Sequence, residues 1–96
     1  MTHDDFIWAL NEEIDALKTM LIEKNRKYGN SALQPARIFA KSDAIEQLNV
    51  RIDDKLSRIK NQQADEDEDA EFDLLGYLLL KRTLINYNLN ISTAYT

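Results

Sequence analysis

Two aspartates on the third predicted helix are the residues whose type and spacing most directly suggest chemistry. Asp69 and Asp73 are four positions apart, so on a helix their carboxylates share one side and repel each other. The leucines that follow cover nearly the whole circumference of that helix, a pattern typical of a helix that is buried on most sides. Buried carboxylates need compensation from cationic side chains or from a divalent metal ion. We therefore expect Asp69 and Asp73 on a buried face beside such a partner.

A simpler interpretation of this segment needs no site. Glu68 and Asp69 are then first-turn residues that the helix dipole stabilises, and only Asp73 is left to explain. Gly76 favours the site, because a glycine inside a helix costs about 1 kcal/mol and usually marks close packing against a backbone or a ligand. The residues alone leave both interpretations open.

A basic stripe on the second predicted helix could face those carboxylates or hold an anion. Arg51, Lys55 and Arg58 follow one flank at helical spacing, and their cationic groups suit phosphate oxygens. A solvated face on which these cations pair with Asp54 is the simpler explanation of the same residues. Val50 lies on the back of this helix, which indicates that this side is also covered and favours the anion site.

The end of the first predicted helix adds two cations and an aromatic ring. Lys24 and Tyr28 continue the inward-facing stripe, and Lys27 lies beside them. These residues belong either to the edge of the core, with their polar tips in water, or to the mouth of a cleft. The only histidine, His3, is close to the N-terminus. A metal site would therefore use carboxylate oxygens, which favour Mg²⁺ or Mn²⁺.

Three periodic segments separated by polar connectors predict an all-α fold. Apolar residues recur at helical spacing over about 4–28, 43–61 and 68–87, and no segment shows the alternation of a strand. Residues 88–96 lack a helical period and are predicted to form a C-terminal tail. We expect one all-α domain over all 96 residues, built as a bundle of three main helices.

Apolar residues on the backs of these helices predict self-association. Trp8 and Ile22 lie nearly opposite the inward stripe of the first helix, and Val50 and Leu78 are similarly placed on the other two. A three-helix unit of this size would leave them exposed. We expect a homodimer or homotetramer, in which sites could be shared between subunits.

The composition excludes several classes of protein. The net charge of −5 and the pI near 4.7 argue against a nucleic-acid partner, which needs a basic surface. The absence of cysteine excludes disulfides, thiolate metal sites and cysteine nucleophiles. No apolar run is long enough to predict a membrane span, and the acidic N-terminus is unlike a signal peptide. We expect a protein of the bacterial or infected-host cytoplasm, with no membrane partner.

Three segments, taken in order, resemble a known family. They are KNRKYGNSAL (24–33), EQLNVRIDDKLSRI (46–59) and EDxxxDLxGY (68–77). Together they resemble the small phage and bacterial proteins called nucleotide modification associated domain 1. That group is similar to the MazG-like all-α nucleotide pyrophosphohydrolases.

The resemblance implies cleavage of a nucleoside triphosphate, ribo or deoxy, between its α and β phosphates, giving a monophosphate and pyrophosphate. It implies Mg²⁺, or Mn²⁺ in its place, bound by Glu46, Asp54, Asp69 and Asp73. Asp54 and Asp73 would be the catalytic pair. The residues that it assigns to the nucleotide are Lys24, Lys27, Tyr28, Arg51, Lys55 and Arg58.

The chain departs from the motif of the wider superfamily at two points. Ala70 stands three residues before Asp73, where a strict Glu-x-x-Asp has glutamate, and no Glu-x-x-Glu occurs on the second helix. Asp69 could replace the missing glutamate, because positions three and four residues away share a face. The alternative functions are a nucleotide-binding protein without catalysis and a helical oligomeric interaction protein of phage origin.

Overall fold

The computed structural model describes residues 1–30, 33, 43–62 and 68–94, with side chains through residue 90. Its three helices are α1 (His3–Lys27), α2 (Ala44–Asn61) and α3 (Ala70–Ala94). No strand occurs in these ranges, which confirms the prediction of an all-α fold with three helices. Within the described residues, no helix combines the length and the apolar character needed to cross a membrane.

Local hydrogen bonds explain where α1 and α2 begin. Thr2 and Asp5 form a reciprocal capping box, in which each side chain accepts a hydrogen bond from the other residue's backbone N–H. Asp43 caps α2 by accepting a hydrogen bond from the backbone N–H of Glu46 at 2.9 Å. After α1 the backbone turns left-handed at Gly29 and Asn30, with φ of 63° and 67°, which ends the helix.

The predicted end of the third helix is wrong. Residues 88–94 continue α3 rather than forming an irregular tail. The asparagines and β-branched residues of this segment lower helix propensity, but no glycine or proline follows Gly76 to stop the helix. Residues 95–96 of the predicted tail lie outside the described residues.

The core lies between α2 and α3. Leu48 and Ile52 on α2 are buried, and so is Ala70 at the start of α3. α1 has no buried residue and contacts α3 much less extensively than α2 does. It packs tightly against α3 at Gly76, where an added Cβ would lie 3.1 Å from Leu21 Cδ2. The glycine therefore permits close helix packing, as predicted, and α1 is the most weakly attached element.

Replacing Leu48 with alanine tests how far stability depends on this small core. Leu48 is 1% exposed, so Leu48→Ala should lower the free energy of unfolding by about 2–5 kcal/mol. Leu56→Ala is the matched control, because Leu56 lies on the same helix and is 49% exposed. Urea denaturation followed by circular dichroism measures both. Equal losses for the two variants would contradict a core centred on Leu48.

Candidate ligand pocket and ion cluster

A pocket of about 350 Å³ opens where α1 approaches α3. Its polar lining comes from all three helices and its floor is apolar. The polar residues are Lys24, Asn25, Tyr28, Arg51, Asp73 and Tyr77, and the apolar ones are Met20, Leu21, Gly76 and Leu80.

Cations and aromatic rings are neighbours along the wall of this pocket. The Arg51 guanidinium lies 5.9 Å from the centre of the Tyr77 ring, within cation–π range. Lys24 extends from α1, with its Nζ 4.0 Å from Asp73 Oδ1 and its side chain more than half exposed. Tyr28 stands at the outer end of α1, and Lys27 Nζ lies 5.4 Å from its ring centre, outside the lining. The wall thus offers positive charge next to flat rings.

An ion cluster of Lys55, Arg58, Glu68, Asp73 and Asp54 joins α2 to the start of α3. Lys55 Nζ donates to Glu68 Oε1 at 2.7 Å and lies 3.4 Å from Asp73 Oδ2. Arg58 donates to the other Glu68 oxygen at 2.9 Å and to Asp54 at 3.1 Å. The Lys55 and Glu68 side chains are only 15% and 13% exposed, so this pair is shielded from water. Asp73 belongs both to this cluster and to the pocket.

The contacts in the cluster favour the charged forms of Lys55, Arg58 and Glu68. The hydrogen bond from Lys55 holds the pKa of Glu68 below its usual value, even though partial burial opposes that shift. The same hydrogen bond raises the pKa of Lys55, with Asp73 adding to the effect. The negative charge of Glu68 raises the pKa of Arg58. At neutral pH Lys55, Arg58 and Glu68 are therefore ionised.

The structure brings seven of the predicted site residues into these two features. Lys24, Tyr28 and Arg51 lie in the pocket, Lys55, Arg58 and Asp54 lie in the cluster, and Asp73 lies in both. Lys27, Glu46 and Asp69 lie in neither. Glu46 is exposed near the start of α2, where it accepts a hydrogen bond from the side chain of Asn49 at 3.3 Å.

The expectation that Asp69 is buried is wrong. Asp69 is exposed and precedes the first turn of α3, where its Oδ1 accepts a hydrogen bond from the backbone N–H of Phe72 at 2.9 Å. A carboxylate at this position satisfies a helix N–H group that has no partner within the helix. The simpler interpretation therefore holds for Asp69. Asp73 is 24% exposed, and its partners here are two lysines.

The four predicted metal ligands do not converge in the described structure. Asp69 caps α3, Asp54 pairs with Arg58, and Glu46 lies apart from Asp73. No group of three or more acidic or histidine side chains is placed to hold a metal ion among the residues that the structure describes. Glu68 and Asp73 share Lys55 as a partner, so the cation between them is an ammonium group. Mg²⁺ binding stays a prediction.

Three residues of the pocket and the ion cluster were not predicted as site residues: Tyr77, Asn25 and Glu68. Tyr77 lies four residues after Asp73, and Asn25 four after Leu21, so helical spacing alone could have placed them at the pocket. Glu68 was interpreted only as a first-turn residue. Its partner Lys55 is thirteen positions earlier on another helix, a pairing that depends on how α2 packs against α3.

No family model, curated protein or solved structure matches this chain. The resemblance to the nucleotide modification associated family therefore stays a prediction.

The ion cluster predicts a specific dependence of stability on pH. Because its pKa is lowered on folding, Glu68 stabilises the fold above its usual value of about 4.3, and this contribution is lost as the pH falls through the folded value. Lys55, whose pKa is raised, contributes below about 10.4 and loses its effect as the pH rises further.

Glu68→Gln should therefore destabilise the protein at pH 7, and the difference from the parent should shrink as the pH is lowered below about 4.3. Glu71→Gln is the control, since Glu71 is an exposed carboxylate at the start of the same helix. Urea unfolding between pH 3 and pH 7 would measure both. A constant difference across that range would show that the charge of Glu68 contributes nothing to stability.

Proposed function

We propose that the pocket between α1 and α3 binds a nucleotide, specifically a nucleoside triphosphate. One observation carries this proposal: two cations and two aromatic rings from three helices line a single pocket. Its volume of about 350 Å³ is of the size that small-molecule sites have. The cations are Lys24 and Arg51, and the rings are those of Tyr28 and Tyr77.

The two kinds of side chain suit the two parts of such a ligand. Lys24 and Arg51 supply charge-assisted hydrogen bonds for phosphate oxygens. Lys24 has a loose contact of 4.0 Å with Asp73 and is largely exposed, so it can turn toward a phosphate at little cost. Tyr28 and Tyr77 offer faces on which a base can stack. Asn25 adds a side-chain donor and acceptor for a base edge or a sugar.

The negative charge of Asp73 opposes the binding of an anion in this pocket. Its carboxylate repels phosphate, and it is the only acidic residue among those lining the pocket in the described structure. Lys55, which does not line the pocket and is 15% exposed, offsets that negative charge because its Nζ lies 3.4 Å from Asp73 Oδ2. The pocket therefore retains Lys24 and Arg51 for an anionic ligand.

Removing a pocket cation should weaken nucleotide binding. Lys24→Ala should reduce affinity for ATP and dATP by roughly ten- to hundredfold, the worth of one charged hydrogen bond. Lys18→Ala is the matched control, because Lys18 lies on the same helix and outside the pocket. Isothermal titration calorimetry without added metal gives the affinities. Absence of binding by any nucleoside triphosphate, or equal losses in both variants, would reject the proposal.

A second proposal is that the bound triphosphate is hydrolysed to a monophosphate and pyrophosphate, as the sequence resemblance implies. The observation that favours it is a half-buried carboxylate, Asp73, at the wall of the pocket. Mg²⁺, when bound, would supply charge neutralisation and an activated water. In the described arrangement Asp73 is engaged by Lys55 and Lys24, so binding has more support than turnover.

Asp73→Asn separates the two proposals. Hydrolysis that depends on this carboxylate should be abolished, whereas nucleotide affinity should be kept or increased, because a negative charge next to the phosphates has been removed. Pyrophosphate release from a panel of ribo- and deoxynucleoside triphosphates with Mg²⁺ measures turnover. Asp53→Asn serves as a control at an exposed position outside the pocket. Turnover that survives in Asp73→Asn would disprove the assignment of Asp73.

We also propose that the chain self-associates. Trp8, Ile22, Val50 and Leu78 are all exposed in the single chain. Large apolar side chains left in water on all three helices support a homodimer or homotetramer.

A further inference from the structure

Asn25 is the one side-chain amide among the described residues that line the pocket, and a residue outside the pocket orients it. Its Nδ2 donates a hydrogen bond to Oδ1 of Asn30 at 2.6 Å, and Asn30 is not among the lining residues. An amide group has its donor and its acceptor on opposite sides, so a bond that fixes the donor also fixes the direction of the carbonyl oxygen. The bond to Asn30 therefore occupies the donor side of Asn25 and leaves its Oδ1 for a ligand.

The turn that ends α1 holds Asn30 in the place that this bond needs. The backbone N–H of Asn30 donates to the backbone carbonyl oxygen of Asn25 at 3.0 Å, so the two residues are joined twice. The φ of Asn30 is 67°, in the left-handed region that asparagine and glycine adopt more readily than other residues. The left-handed turn therefore both ends the helix and presents Asn30 Oδ1 to the amide of Asn25.

Asn25 is also a neighbour of the aromatic part of the pocket. Asn25 and Tyr28 are three positions apart across the end of α1, and both line the pocket. A base that stacks on a tyrosine ring uses its face for the ring, so its polar edge is left for the side chains around it. The carbonyl oxygen of Asn25 is thus well placed to contact the edge of a base stacked on Tyr28.

We propose that Asn25 selects nucleotides whose base carries an amino group on its Watson–Crick edge, as adenine and cytosine do. Such an amino group donates to Asn25 Oδ1, whereas the carbonyl oxygen that hypoxanthine or uracil has instead would meet it as a second acceptor. Asn30 is a positioning residue, because it decides which side of the Asn25 amide a base meets. The inference rests on the proposed nucleotide binding and deepens it by naming the class of base.

Two matched pairs of nucleotides test this preference. ATP and ITP have the same phosphates and sugar, as do CTP and UTP, and each pair differs at the Watson–Crick edge of the base. The protein should bind ATP and CTP roughly three- to tenfold more tightly than ITP and UTP, which is the worth of one neutral hydrogen bond. Isothermal titration calorimetry without added metal gives the four dissociation constants.

Substitutions of Asn30 test its positioning role. Asn30→Gly removes the acceptor and keeps a residue suited to a φ of 67°. The freed amide of Asn25 can then present either side, so affinity for ATP should fall by only about twofold while the preference for ATP over ITP is lost. Asn30→Asp is the matched control, because it keeps an acceptor for Asn25 Nδ2 and should keep the preference of the parent. Its added charge affects ATP and ITP alike, so the ratio of their affinities is the readout.

Asn25→Ala should also lose the preference, and the change removes no core packing because Asn25 is exposed. Circular dichroism should show the same helix content in all three variants. Absence of binding by all four nucleotides would reject the proposed function together with this inference. Binding with equal affinity within each pair, tighter binding of ITP and UTP, or a preference that survives in Asn25→Ala would overturn the base selection alone. A preference that survives in Asn30→Gly would overturn the positioning role of Asn30.

Discussion

The contact of Lys55 with both Glu68 and Asp73 is the constraint on which the rest of the molecule depends. It connects the middle of α2 to the start of α3, beside the small core of Leu48, Ile52 and Ala70. Few fully buried side chains stabilise this interface, so the shielded ion pair has a larger share of the work than in a larger domain. The orientation of Asp73, and hence the polarity of the pocket, follows from this contact.

Gly76 is the second requirement, because it sets the distance between α1 and α3. A larger residue would meet Leu21 and Met20 and push α1 outward. Gly76 is also one of the residues that line the pocket. Helix propensity is therefore lowered at a position where two helices pack closely. Asp73 and Gly76 lie one turn apart, so a single face of α3 provides both the charge and the space.

The sequence was sufficient for features that depend on local periodicity. The three helices, the cap at Thr2 and the stop at Gly29 follow from neighbouring residues. Lys24, Tyr28, Arg51 and Asp73 were also identified, because each stood on an inward face or a basic flank. Features that depend on how the helices pack against one another could not be predicted from the sequence.

Asp69 shows why position along a helix matters as much as the face. Because α3 begins at Ala70, two residues later than predicted, Asp69 precedes the helix and is an exposed cap. Glu68 shows the converse, since a residue interpreted as local became the centre of a contact between helices. Neither outcome could be obtained from spacing, because both depend on where α3 begins relative to α2.

α1 contributes both to the pocket and to the apolar surface of the proposed self-association. α1 provides Lys24, Asn25 and Tyr28 to the pocket, yet it has no buried residue of its own. A helix with so little packing is held in place largely by whatever covers its exposed apolar residues. A partner that covers the N-terminal half of α1 would therefore also restrain the three ligand-facing residues at its other end. By linkage, a ligand that fixes those residues would in turn favour the docked state of α1. Weak packing of α1 would thus couple the proposed nucleotide binding to the proposed self-association without any contact between ligand and partner.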